Sequence, residues 1–398
     1  MSPLVIIFLT VFIDLLGFGI IIPLLPFYAE HFGASALAVG LLSTSFSVAQ
    51  FLFAPFWGRL SDRIGRRPVI LAGLIGSAIS YAMFALADSL TMLFIARTLS
   101  GIAGANIPTA QAFIADVTPL EHRARGMGMI GAAFGLGFVF GPAIGGFTSR
   151  WGYAAPAWFA AVLSAANFIA ALIVLPESRP RDASNGPPRA SRFRSFQQAL
   201  TRPHLPLVLL VYFLVLTAFS SFESMFALYG EHRFALTPAS IGYIFALVGT
   251  VLATVQGVLV GRVVGRLGER RVVPAAILLL ACALALVSLS NSVAMLTIAC
   301  ALLAVGMGFN GPSIMSLISQ LADSRAQGGT LGVSQALASL ARIVGPAWGG
   351  WVYDRFGHDV PFVTAAALML VACAMSVVAF GRVDQDRVLT GAAGANRC

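Results

Sequence analysis

The sequence predicts an all-α polytopic membrane protein: twelve transmembrane helices arranged as two parallel-repeat six-helix bundles. Three observations predict it. Of the 398 residues, 58% are hydrophobic and only 10% are charged, against roughly 45–50% and about a quarter in soluble domains. The apolar residues fall into long runs, and at about 20 residues per crossing of a bilayer core twelve spans consume about 240 residues. The second half of the chain repeats motifs of the first. This composition excludes a soluble enzyme, a secreted disulfide scaffold and a disordered chain.

Taken in order, the apolar runs between Gly, Pro and charge breaks lie near 4–29, 37–58, 68–87, 90–115, 123–148 and 154–175, then 205–229, 238–262, 272–289, 292–320, 327–352 and 358–381. No basic region precedes Leu4 and no small-residue cleavage site follows, so the first run reads as a retained span. Glu177–His204 contains Pro180, Asn185, Gly186, Pro187, Pro188 and six Arg, a composition that cannot build a membrane core. The predicted organisation is therefore an N-terminal bundle at 1–175, a cytoplasmic linker at 176–204, a C-terminal bundle at 205–381 and a tail at 382–398.

Charge sets the expected orientation. The net charge is +9, and all 25 basic residues are Arg, scattered in short stretches between apolar runs rather than gathered in a nucleic-acid patch. With the N-terminus inside, about twenty Arg fall on the cytoplasmic side, and only Arg150, Arg233 and Arg355 on the other. Both termini and the linker are then cytoplasmic. Cys282, Cys300, Cys373 and Cys398 lack metal-ligand spacing and read as packing residues, so no metal or cofactor is expected.

The halves repeat at an offset of about 201–205 residues. Tyr28-Ala29-Glu30-His31 returns as Tyr229-Gly230-Glu231-His232, and Gly58…Arg63-Ile64-Gly65 as Gly261…Arg266-Leu267-Gly268. Arg123-Ala124-Arg125-Gly126 returns as Arg325-Ala326-Gln327-Gly328, and Gly141-Pro142-x-x-Gly145-Gly146 as Gly345-Pro346-x-x-Gly349-Gly350. Six spans per half bring the chain back to the same side, so the copies are parallel repeats about an axis along the membrane normal, as in transporters that rock two halves about a central site.

Polar groups inside the spans are the candidate functional residues. A carboxylate or guanidinium at mid-membrane costs about 2.5–3.5 kcal/mol even on lenient scales, which singles out Asp14 in the first span, Arg97 in the fourth, Glu223 in the seventh and Arg342 in the eleventh. At 1.5 Å per residue Asp14 and Arg97 differ in depth by about 5 Å, close enough for an ion pair. Glu223 can carry a proton or be held by Arg342; either acid can instead serve a purely structural pair. His31, His122, His204, His232 and His358 all lie at edges or loops, which argues against a histidine relay. Gln50, Gln111, Asn167, Gln256 and Gln335 are mostly expected to bond between helices, and Asn106 and Asn310 stand at equivalent sites of the two halves. The 30 Phe and 11 Met suit an adaptable apolar cavity.

Two glycine-bearing motifs complete the pattern. Gly58-Arg59-Leu60-Ser61-Asp62-Arg63-Ile64-Gly65-Arg66-Arg67 fills the loop after the second span, and its second copy has Gly265 where Asp62 stands. Gly137-x-x-x-Gly141-Pro142-x-x-Gly145-Gly146 in the fifth span puts glycines four apart, which lets a neighbouring backbone approach, and Pro142 permits a kink. The bland alternatives are a positive-inside anchor followed by a turn glycine for the first, and common small-residue helix packing for the second.

Together these motifs resemble the major facilitator superfamily, over essentially the whole chain, and look closest to its twelve-span drug:proton antiporters, particularly the tetracycline efflux proteins. The resemblance implies a proton-coupled exporter of lipophilic drugs, tetracycline-like compounds among the candidates, in the bacterial inner membrane. Its partners would be drug, protons and lipid, with no nucleic acid, and it would act as a monomer and not as an enzyme. It also implies that Asp62 latches the cytoplasmic gate, with Gly58, Arg63, Gly65, Arg66 and Arg67 around it, and that the stripe Gly137, Gly141, Pro142, Gly145 and Gly146 is the antiporter motif. Asp14, Glu223 and Arg97 would couple protons, and Asn106 and Asn310, at sites that line the cavity in that superfamily, would be the substrate contacts. The best-known tetracycline exporters carry an acid in the third span and a histidine in the eighth, where this chain has Ser80 and Leu252. Two alternatives remain beside this reading: a proton-coupled uptake symporter for a small polar solute, and a non-transporting membrane sensor.

Overall fold

The computed structural model describes residues 3–119, 123–178, 201–202, 204–322 and 327–395; most of the predicted linker therefore lies outside the described residues. The first half comprises α1 (Pro3–Ile21), α2 (Leu25–His31), α3 (Ala36–Ile64), α4 (Arg66–Ala85), α5 (Leu90–Ala103), α6 (Ile107–Val117), α7 (Arg123–Thr148) and α8 (Ala155–Val174). The second comprises α9 (Leu205–Phe234), α10 (Pro238–Thr254), α11 (Val260–Leu267), α12 (Glu269–Ser288), α13 (Val293–Leu321), α14 (Gln327–Phe356) and α15 (Val360–Ala395).

Eleven candidate spans are long and apolar enough to cross a membrane, by length and composition, among the described residues. The helix α14 supplies the twelfth; it has 30 residues, but Gln335, Ser339, Arg342 and its glycines dilute its hydropathy. Three predicted spans are not single helices. The first breaks between Ile21 and Leu25 at Pro23, which has no N–H to donate, and resumes with Pro26 in the first turn of α2. The fourth passes through a 3-10 turn at Gly104–Asn106, and the eighth through a π turn at Val255–Leu259. The last helix runs beyond residue 381, where the sequence suggested a tail, to Ala395.

Local chemistry fixes the helix starts. Ser35, Ser89, Thr237 and Ser292 accept from the backbone N–H three residues on, capping α3, α5, α10 and α13. The chain then turns between the second and third spans of each half at Gly65 (φ 103°) and Gly268 (φ 77°), a conformation that a side chain would strain.

The halves are built alike. Within each, the first span packs on the fifth, α1 on α7 and α9 on α14; across the halves α3 lies on α14 and α7 on α10. One large apolar cluster joins both halves at the end that carries Glu30, with Tyr28, Phe84, Phe226, Tyr229 and Phe362 in it. A smaller one, with Ile7, Val11, Leu74 and Phe113, fills the first half toward the other end. The contacts described below between halves lie toward the Glu30 end, whereas Leu52, Leu136, Leu259 and Leu331, farther along the same four spans, are exposed.

Candidate functional site: a charged cavity between two halves

A cavity of about 310 Å3 lies between the halves, lined by α1 to α7, α9 and α14 and the turns that join them. Asp14 and Arg97 from the first half and Glu223 and Arg342 from the second all border it. The four charged residues singled out from the sequence are thus brought to one space, with Gln50, Gln111 and Gln335 among its polar lining and Phe18, Phe46 and Phe138 among its apolar lining.

The expected Asp14–Arg97 ion pair is absent, which corrects the sequence reading. Asp14 stands beside Ser77, and its Oδ1 has no hydrogen-bond partner. Arg97, 4% exposed, rests its guanidinium 4.6 Å from the centroid of Phe46 and 6.0 Å from that of Phe18. Tyr81 lines the cavity with both, within reach of the charge of each. Similar depth did not imply contact, because counting residues along a helix does not fix which way each side chain points. In the second half Glu223 and Arg342 act on each other directly, although without an ion pair within 4.0 Å; Arg342 Nη2 reaches the Ser339 hydroxyl at 3.5 Å.

The asparagines fare differently. Asn310 is buried at 1% exposure, its Oδ1 unpartnered, and does not line the cavity, because α13 contributes nothing to that wall. Asn106 sits in the 3-10 turn at the cavity's edge, and its side chain lies outside the described residues. Two of the other amides bond between helices as expected: Asn167 Nδ2 donates to Thr10 O at 2.9 Å and Gln50 Nε2 to Gly104 O at 3.2 Å.

The glycine stripe of α7 packs as its spacing demands. A Cβ on Gly137 would stand 3.1 Å from Leu15, and one on Gly141 2.7 Å from Gly19 Cα. A Cβ on Gly145 would meet the Ile20 carbonyl of α1. Gly146 faces the other half, where Gly242 Cα would be 3.0 Å away, and a Cβ on Gly242 would meet the carbonyl of Pro142 at 2.5 Å. The copy in α14 does the same: Gly345 and Gly349 abut α9, and Gly350 abuts the start of α3.

The motif expected to fill a loop is helical instead, Gly58–Ile64 ending α3 and Arg66 and Arg67 opening α4, with only Gly65 between them. There Arg66 Nη1 donates to Asp62 Oδ1 at 2.6 Å and to the Ser61 hydroxyl at 2.8 Å, while its Nε reaches Asp116 at 3.1 Å. The start of α4 is then capped from the segment after α8: the backbone N–H groups of Arg66 and Arg67 donate to the two Glu177 oxygens at 2.8 and 3.2 Å, and a Cβ on Gly65 would collide with that carboxylate. Arg67 Nη2 also holds the Leu172 carbonyl at 2.6 Å. Arg63 is exposed, and a Cβ on Gly58 would meet nothing. Sequence reasoning missed Asp116 and Glu177; the signal was a lone acid at the end of a span beside an Arg-rich loop.

A second cluster, also missed, ties the halves at the opposite end. His232 bridges them, its Nε2 2.9 Å from Glu30 Oε1 and its Nδ1 2.7 Å from the Tyr353 hydroxyl. Glu231 stands beside Glu30, whose carboxyl burial pushes above the usual range. Asp354 accepts from the first two N–H groups of α3, Ala36 at 3.0 Å and Leu37 at 2.8 Å, a carboxylate on a helix N-terminus that joins the halves. The recurring Tyr-x-Glu-His motif marked this place without revealing its pairing.

The family model described as Major Facilitator Superfamily matches residues 7–262 and 232–396. The class E tetracycline resistance protein of Escherichia coli is 34% identical over 86% of this chain and 89% of its own length. Multidrug resistance protein 2 of Bacillus subtilis (strain 168) is 30% identical over 92% of each. Among solved structures, the human organic anion transporter MFSD10 (TETRAN) is 29% identical with a TM-score of 0.72, covering 94% of this chain and 99% of that one. A bacterial homologue of the lysosomal transporter Spinster, in an inward-facing and unoccupied conformation, has a TM-score of 0.79 at 17% identity over 95% and 96%, which speaks for the fold alone. Two six-span halves about a central cavity and a family match over nearly the whole length lead to one statement: the chain belongs to the Major Facilitator Superfamily.

Proposed function

We propose that the protein is a proton-coupled secondary active exporter, a drug:proton antiporter for lipophilic drugs working by alternating access across the bacterial inner membrane. One observation carries the reading: two carboxylates, Asp14 and Glu223, border one mainly apolar cavity between two halves, and neither is locked in an ion pair. Carboxylates so placed can exchange a proton for a bound drug, since a charge held in a low-dielectric space binds either, and binding one lowers the affinity for the other. The names of the tetracycline and multidrug resistance relatives support drug as cargo.

With both termini cytoplasmic, the Glu30–His232 and Asp354–α3 contacts close the outer end, and the state described opens inward. Drug enters while Asp14 and Glu223 are ionised. Rocking of one half against the other breaks the outer contacts and closes the Asp62 latch. Protons from outside then neutralise the carboxylates and release the drug. Efflux of dyes and drugs from cells expressing the protein, with and without a protonophore, tests this. Loss of efflux with the protonophore is expected; efflux that survives collapse of the gradient, or accumulation instead of efflux, would overturn it.

A further inference from the structure

Arg97 holds an uncompensated charge. Its guanidinium stays protonated at any working pH, yet among the described residues no carboxylate pairs with it. Its Nε and Nη1 have no hydrogen-bond partner. Of the polar groups nearby, the Ser80 and Ser100 hydroxyls bond each other at 2.8 Å and Gln50 turns its Nε2 to the Gly104 carbonyl; none of them bonds the guanidinium. Asp14, which could have neutralised Arg97, keeps an unpartnered oxygen of its own. The ring faces of Phe46 and Phe18 cover the cation and the Tyr81 phenol stands within reach of its charge without a hydrogen bond to it, and such contacts offset part of the loss of hydration, not all of it.

This place borders the cavity, and its surroundings describe what would complete it. Phe18 and Phe46 stand 5.0 Å apart at 31°, and Phe138 meets Phe18 edge-on at 6.3 Å, forming an aromatic wall beside the cation. An oxyanion would accept charge-assisted hydrogen bonds from the guanidinium, and rings attached to it would lie on that wall. Arg342 is not equivalent: its Nη2 reaches the Ser339 hydroxyl at 3.5 Å, and among the described residues no aromatic ring face covers its guanidinium. We infer that Arg97, backed by Phe18 and Phe46, is the substrate subsite for an ionised acidic oxygen group carried on an aromatic body. The inference rests on the cavity being the transport site and narrows the cargo to amphipathic aromatic acids and zwitterions, a cationic group of the latter facing the carboxylates.

Binding without any proton gradient separates this inference from the transport reading. The probes are anilinonaphthalene sulfonate and phenylnaphthylamine, which share a ring system and differ by the sulfonate, titrated by fluorescence into the full-length protein in nanodiscs against empty discs. Arg97→Gln is expected to weaken the sulfonate roughly tenfold, the loss of one charge-assisted contact, and to leave the neutral amine within about twofold. Retained amine binding also reports that the variant is folded. If Arg97→Gln does not fold, competition on the wild-type protein replaces it: naphthalene sulfonate displaces the fluorescent sulfonate and naphthalene does not. Equal weakening of both probes, no weakening of the sulfonate, or equal displacement by the two competitors overturns the subsite. So does an Asp14→Asn variant that binds the sulfonate more than about tenfold tighter, since Asp14 would then occupy Arg97 in solution.

Discussion

The two halves share a backbone but not their charges. At the offset that aligns Tyr28 with Tyr229, Ile22 corresponds to Glu223, and at the offset that aligns Gly141 with Gly345, Phe138 corresponds to Arg342. All four positions line the cavity. The second half therefore places an acid and a base where the first has apolar side chains, and the first carries its own acid and base elsewhere, on α1 and α5. Duplication explains the scaffold, including the glycine stripes that lie against the first span of each half. It does not explain the chemistry, which arose separately on each copy. In the first half the acid and base stand apart, each within reach of Tyr81; in the second they act on each other. The first half can thus titrate Asp14 without breaking an ion pair, whereas protonating Glu223 changes the field on Arg342 directly.

Asp14→Asn would break this comparison with the largest effect. It keeps shape and removes the titratable group, so drug-driven proton movement in proteoliposomes should fall by about two orders of magnitude or more, as for loss of an obligatory proton carrier. The folded fraction should hold. Normal coupling in this variant would remove Asp14 from the mechanism.

The glycine stripes should behave alike where the charges do not. In Gly141→Leu a Cβ alone would press into Gly19, and at Gly345 it would meet the Thr217 carbonyl at 2.6 Å. Each substitution should cost about 1–3 kcal/mol of packing, visible as a lower melting temperature in detergent. If the stripe also seals the cavity, folded Gly141→Leu protein should leak protons without drug. A tight and fully active Gly141→Leu would show that the close approach of α7 to α1 is dispensable.

Glu223→Gln sharpens the contrast further. Transport of cationic drugs should drop by about tenfold more than that of neutral ones, one unit charge being worth on this scale about 1–2 kcal/mol in a partly hydrated site. Equal losses for both classes would make Glu223 a structural partner of Arg342. The smallest effect is expected at the α3–α4 junction: Asp62→Asn removes one of the two carboxylates on the buried Arg66, and with Asp116 still in place cysteine labelling near Arg66 should rise only about two- to threefold, the loss of one ion pair of about 1 kcal/mol or less. Gly265→Ala, at the position corresponding to Asp62, should leave labelling unchanged, because a Cβ there meets nothing. Equal effects of the two changes would contradict the asymmetry of the latch.

Much of this was legible in the sequence, for identifiable reasons. Span number, the six-plus-six division and the close backbone approach along the glycine stripe follow from hydropathy and from four-residue spacing, which are one-dimensional signals; which helices make that approach does not. The cavity residues Asp14, Arg97, Glu223 and Arg342 stood out because charge inside an apolar run is costly wherever it points. Pairing was not legible. Depth along the membrane follows from counting residues, but the rotation of each helix about its axis does not, so the reading joined Asp14 to Arg97 and assigned Asn310 to a wall that α13 does not reach. The same blindness hid the caps from afar: Glu177 on α4 and Asp354 on α3 bridge 110 and 317 residues of sequence.

The central claim is that drug and protons cross in opposite directions. It is tested most directly in proteoliposomes loaded with a fluorescent drug, in which an imposed pH step drives transport while drug and proton fluxes are recorded together. The account predicts that protons moving down their gradient carry drug the other way, and that the drug flux collapses when the gradient is dissipated. Drug and protons moving in the same direction would contradict it.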